Sequence, residues 1–113
     1  MKKTFKRVVT YVIDGDTFEI DKPIVGITRV RIADVDTPEI GEARYEEMTK
    51  YLKKLLLNNK VKLVIKSKNP AKGDYPARWV CYVYYGSFYS RNATEKIQKR
   101  LNRASLLNKL FKK

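Results

Sequence analysis

The chain has 113 residues, enough for one compact core and too few for two ordinary ones, and it carries a formal net charge of +13 with no histidine and one cysteine. These counts exclude an internal disulfide, His-ligated zinc and any Ser/His or Cys/His nucleophile pair, so acid–base chemistry must come from carboxylates, Lys, Tyr or water held on a metal. The 43% hydrophobic content is too high for a disordered chain, and no apolar run approaches the roughly 18 residues of a membrane span.

Charge is unevenly spread. Residues 1–47 hold eight Lys/Arg against ten Asp/Glu, whereas residues 48–113 hold seventeen against two. A basic body with its acids gathered in one stretch suits a protein that attracts a polyanion and also needs carboxylates at one place for a cation. The N-terminus has basic residues but lacks the apolar core of a signal peptide, which predicts a cytoplasmic protein unless a leader has been removed.

In chain order, 5–14 and 16–21 are rich in β-branched and aromatic residues and meet at Asp14-Gly15, which predicts a hairpin. Segment 27–36 alternates as a third strand with Arg29 and Arg31 on one face, and Thr37-Pro38 ends it. Period two also puts Asp34 on the side of Asp36. From Glu42 to Asn58 the apolar residues Tyr45, Met48, Leu52, Leu55 and Leu56 recur at helical spacing. Strands are expected at 60–67 and 78–85, joined by the turn-rich NPAKGDYP. A basic amphipathic helix should run from about Ala93 to Phe111, capped by Asn92 with Glu95 as partner, its apolar stripe formed by Ile97, Leu101, Ala104 and Leu107. Three strands, a helix, two strands and a helix make an α+β chain in the element order of a five-stranded OB-type β-barrel, with a helix between strands three and four and a C-terminal helix. Residues 1–113 are read as one domain, of which 91–113 is the basic helix, and a monomer is expected.

Three short pieces carry candidate chemistry: VIDGDT at 12–17, RVRIADVDTPE at 29–39, and Asp74-Tyr75-Pro76-Ala77-Arg78 before the last strand. Each alone is an ordinary turn or strand exit. Together they can bring Asp16 and Asp36 close, and two carboxylates that repel each other normally need a cation. In this order and spacing the pieces resemble the staphylococcal nuclease (thermonuclease) family over roughly residues 5–85. The resemblance implies a Ca²⁺-dependent nuclease acting on DNA or RNA, breaking P–O5′ bonds to leave 3′-phosphate ends. It assigns Asp16, Asp36 and the Thr37 carbonyl to Ca²⁺, Glu39 to the attacking water, and Arg31 and Arg78 to phosphate. Lys72, Tyr75 and Tyr84 are the expected nucleic-acid contacts, with Tyr85 and Tyr89 as further stacking candidates, and core or rim packing is the alternative for Tyr84, Tyr85 and Tyr89.

The chain departs from the family at Tyr75-Pro76-Ala77-Arg78, one residue longer than the usual Tyr-Gly-Arg, and proline fixes the backbone there. Asp14 is expected to support its turn, and Arg29 to form a surface ion pair. The competing functions are an OB-type module that binds nucleic acid without cutting it and a structural or interaction domain that keeps only the barrel. Retention of all five catalytic and metal side chains favours the enzyme.

Overall fold

A computed structural model describes residues 3–111, and for 104–111 the backbone alone. Five strands, β1 (Thr4–Val12), β2 (Thr17–Ile24), β3 (Ile27–Ile32), β4 (Lys60–Asn69) and β5 (Arg78–Tyr85), form a sheet in the order β3-β2-β1-β4-β5. Parallel pairing of β3 with β5 closes it into a barrel. Helix α1 (Tyr45–Leu56) joins β3 to β4, and α2 (Ala93–Phe111) follows a two-residue strand β6 (Arg91–Asn92) on the free edge of β5. The α+β barrel expected from the sequence is the fold found, with β6 as a small addition.

Alternation sorts the side chains. Val30 and Ile32 of β3, Val61 and Leu63 of β4, and Cys81 and Val83 of β5 point inward and are fully buried, while the residues between them face out. Burial in this apolar core pushes the Cys81 thiol up to about 12. Met48, Leu52 and Leu56, one stripe of α1, bury completely into the same core, as does Ile97 of α2. The Asn92 side chain accepts the Glu95 backbone N–H at 3.4 Å, capping α2 as its sequence predicts. The Ala104 and Leu107 side chains lie outside the described residues. No helix among the described residues is long and apolar enough to cross a membrane.

Several boundaries differ from expectation by a few residues, and two of the differences matter for the cleft. Strand β3 stops at Ile32 instead of Asp36, because Asp34 adopts a left-handed conformation (φ 62°) that breaks the alternation. Asp34 therefore does not sit beside Asp36. It turns outward to accept Lys66 Nζ of β4 at 2.5 Å, and the Lys66 bond followed by one from Tyr82 holds its carboxyl below its ordinary value. Helix α1 begins at Tyr45 instead of Glu42. The residues before it are spent on a turn in which Glu42 accepts the Glu39 N–H at 2.6 Å, and Arg44 enters the helix at φ 70° without a side-chain cap. The Arg44 guanidinium binds the Arg100 and Leu101 carbonyls, each at 3.2 Å, and so fastens α1 to α2.

Candidate active site and metal centre

The turn between β1 and β2 is tied down at several points. Ile13 N–H donates to the Thr17 carbonyl at 2.9 Å, Asp16 N–H to Asp14 Oδ1 at 3.1 Å, and Ile32 N–H of β3 to the Asp16 carbonyl at 2.8 Å. Gly15 is required here for space. A Cβ on it would stand 2.9 Å from both Met48 Cβ and Thr37 Oγ1, so any side chain would prise the turn from α1 and from the 33–38 segment. Asp14 supports the turn, as expected, and burial, followed by the adjoining Asp16 carboxyl, pushes its own carboxyl above its ordinary value.

Held this way, Asp16 is 6% exposed. Its Oδ1 accepts the Thr17 hydroxyl at 2.9 Å and its Oδ2 accepts the Thr37 N–H at 3.3 Å. Arg31, on the outward face of β3 opposite Thr17, brings Nη2 to 3.3 Å from Asp16 Oδ2 and 3.5 Å from Asp36 Oδ1, and its Nη1 donates to the Ile32 carbonyl at 3.2 Å. Two carboxylates twenty positions apart in sequence thus converge on one guanidinium, one from a buried turn and the other from an exposed strand exit whose side chain is 96% exposed. Thr37, itself buried, stands against Asp16 through its N–H.

These residues could hold a hard divalent cation. The donors are oxygens alone, the two carboxylates already gather around positive charge, and the Thr37 backbone adjoins them. Among the described residues no three acidic, Cys or His side chains cluster tightly enough to enclose an ion by themselves. A cation here would therefore keep most of its shell for water and a ligand oxygen, the usual condition of a site open to substrate.

A cleft of about 730 Å³ opens over this cluster. Arg31, Asp36 and Glu39 line it, together with Arg78 and residues of the 69–76 connection. Glu39 is exposed, and its side chain makes no hydrogen bond or ion pair among the described residues. Arg78 begins β5, one strand over from β3, because the parallel register sets Val30 against Trp79 and Arg31 against Val80. Two mutual backbone hydrogen bonds of 2.9 Å between Lys72 and Tyr75 close a tight turn at Gly73 (φ 57°). That turn places Lys72 and Tyr75 on the rim, with Tyr75 77% exposed.

Eight of the nine residues singled out from the sequence thus line one cleft, and Tyr84 does not. It lies at the far end of β5, six residues from Arg78, about 20 Å at a strand's rise. Tyr85 points into the barrel and is buried. Arg29 pairs with Glu19 at 2.7 Å, as expected of a surface ion pair. One cleft residue escaped the sequence reading: Tyr45, taken as part of the apolar stripe of α1, stands at the cleft and donates its hydroxyl to the Ile13 carbonyl at 3.4 Å. Its helical spacing carries no signal that separates it from the core residues around it.

Endonuclease YhcR of Bacillus subtilis (strain 168) is 27% identical to this chain over 81 residues, which cover 63% of this chain and 7% of that protein. The chain therefore spans a small part of that relative's length. The family model described as "Staphylococcal nuclease homologue" matches residues 29–109, from β3 through α2. The matched span starts after the hairpin that carries Asp16, which the barrel joins to it through the Ile32–Asp16 backbone bond and the Arg31 ion pair. This chain belongs to the staphylococcal nuclease homologue family.

Proposed function

We propose that this chain hydrolyses phosphodiester bonds of DNA, RNA or both with a Ca²⁺ ion held by Asp16, Asp36 and the Thr37 carbonyl. The observation that carries the reading is the meeting of Asp16 and Asp36 on Arg31 in a cleft that Arg78 also lines. When bound, the ion polarises a phosphoryl oxygen and holds water.

The chain's own groups supply the rest. Arg31 and Arg78 are planar, permanently charged donors lining one cleft from neighbouring strands, able to take two oxygens of one phosphate and to offset the charge that builds on them during displacement. Glu39, exposed beside Asp36 with its carboxylate unspent, orients the attacking water and takes its proton. Attack forms the new P–O bond as P–O5′ breaks, the departing O5′ takes a proton from solvent, and the products are a 3′-phosphate and a 5′-hydroxyl. Tyr75 and Lys72 on the rim contact the adjoining nucleotides by stacking and by charge. The cleft is shallow and its rim exposed, so single-stranded or frayed substrate reaches it more readily than a stacked duplex. Residues 1–113, including the basic α2, act as one domain, a monomer in the cytoplasm.

Incubation of single-stranded DNA and RNA with the wild-type chain in Ca²⁺ and in chelator tests this. Cleavage in Ca²⁺ alone, leaving 5′-hydroxyl ends and dropping at least about a hundredfold in Glu39→Ala, is the expected result. Retained binding with no cleavage by the wild-type chain would replace the enzyme with a nucleic-acid-binding barrel.

A further inference from the structure

On the outward face of the barrel, at the end of β5 away from the cleft, one row of side chains crosses four strands. Lys6 of β1 lies directly opposite Lys62 of β4, Lys62 opposite Tyr84 of β5, and Tyr84 opposite Asn92 of β6. The Lys62 ammonium stands 5.1 Å from the centre of the Tyr84 ring, and that of Lys6 stands 5.2 Å from the ring of Tyr89. Mutual cover between lysine stems and tyrosine rings accounts for those two contacts. It does not account for Lys6 facing Lys62, since like charges directly opposite in an antiparallel pair are destabilising. Neither lysine has an acidic partner among the described residues.

The turn that leads from β5 to β6 adds a second unexplained cost. Phe88 and Tyr89 are consecutive non-glycine residues in left-handed conformations, with φ of 56° and 53°. The result of that strain is a phenyl ring 99% exposed to water. An apolar ring held out on a strained turn, beside two uncompensated lysines and two half-buried tyrosines, has the composition of a surface on which bases stack while lysines neutralise the backbone.

We propose that this row is a second binding face for single-stranded nucleic acid, with Lys6 and Lys62 on phosphates and Phe88, Tyr89 and Tyr84 receiving bases. It shares its substrate class with the proposed function of the cleft but needs neither the metal nor cleavage. Its distance from Arg78, about 20 Å along β5, means that a strand long enough to reach both places is held at two points and a single nucleotide ester at one.

The test is fluorescence anisotropy of a labelled oligothymidylate in chelator, where nothing is cut, with the wild-type chain, the double variant Lys6→Gln/Lys62→Gln, and Phe88→Ala. Affinity should fall about tenfold in each, and the double variant should lower the slope of log affinity against log salt by about 1.4, two phosphate contacts on a single strand. The melting temperature of the double variant should hold or rise because a repulsion has been removed, and Lys62→Arg should bind like the wild type. In Ca²⁺ the double variant should cut long strands more slowly while cleaving a nitrophenyl ester of a single nucleotide at the wild-type rate. Unchanged affinity and salt slope in the double variant would overturn the inference, and so would equal loss of activity on the long strand and the short ester. A wild-type chain that binds the oligonucleotide through this row yet cuts nothing in Ca²⁺ would remove the proposed nuclease function and leave the row standing.

Discussion

Arg31 and Arg78 start from neighbouring strands and face one cleft, yet they are held in opposite ways. Arg31 is fixed by three contacts, to Asp16, Asp36 and the Ile32 carbonyl, on a strand paired on both sides. The Arg78 side chain makes no hydrogen bond or ion pair among the described residues, although its backbone starts β5 opposite Asn69, and it follows a connection closed by a single tight turn at 72–75. A group already fixed on the spot where negative charge develops spends little on ordering itself during reaction, whereas one on a free stem must be ordered by the substrate. In the proposed reaction Arg31 is the preorganised group and Arg78 the adaptable one. The extra residue of Tyr75-Pro76-Ala77-Arg78 falls beside the adaptable arginine, where a change of loop length does least harm.

The largest test of this contrast is on the arginines themselves. Arg31→Ala should lower kcat about a thousandfold or more with little change in KM, and Arg31→Lys should restore little because the planar fork is lost. Arg78→Ala should lower kcat less, about a hundredfold, and raise KM as well. Steady-state kinetics on one oligonucleotide measures both, and equal losses confined to kcat would erase the distinction between the two arginines.

Next in size is the effect on the cation. Asp16→Ala should abolish Ca²⁺ binding measured by calorimetry, since it removes the buried carboxylate around which the turn is built. Asp36→Ala, at the exposed strand exit, should weaken binding about tenfold and leave it measurable. In Arg31→Ala, Ca²⁺ affinity should rise several-fold, up to about tenfold, because a competing positive charge leaves the same two carboxylates while turnover is lost. A drop in affinity instead would mean that Arg31 organises the carboxylates more than it competes with the ion.

The smallest effect belongs to the frame beneath Asp16 and Arg31. Gly15→Ala places a methyl group 2.9 Å from Met48 Cβ and Thr37 Oγ1, and chemical denaturation should show a loss of about 1–3 kcal/mol. Ca²⁺ affinity should fall in the same variant because the turn bearing Asp16 has moved. Alanine at Gly73, where nothing lies within 4 Å of the added Cβ but φ is 57°, should cost about 1 kcal/mol and leave Ca²⁺ affinity unchanged.

The barrel was legible because period-two alternation in 27–32, 60–67 and 78–85 places Val30, Ile32, Leu63 and Val83 on one face, and a face of that kind has to be buried. The basic last helix was legible through its Asn92 cap. Strand β3 could not be bounded from sequence. Alternation continues through Asp34 and Asp36 on paper, while the left-handed turn at Asp34 is held by Lys66 and Tyr82, residues more than thirty positions away. The distance of Tyr84 from the cleft was hidden for a related reason: a tyrosine in a strand looks alike at either end of it, and only the register with β3 and β4 separates the cleft end from the far end. Tyr45 was overlooked because helical spacing says which residues share a face and not what lies opposite.

By itself the sequence determined the order of elements, the inward and outward faces of each strand, and the residue types that suit phosphate and a hard cation. Those follow from local spacing and side-chain chemistry. The tertiary structure alone decided that Asp16 and Asp36 meet on one guanidinium, that Gly15 must be bare for this to happen, and that Lys6 must face Lys62. Each of these is a contact between strands or turns distant in the chain, set by barrel closure and register, and no local pattern encodes it.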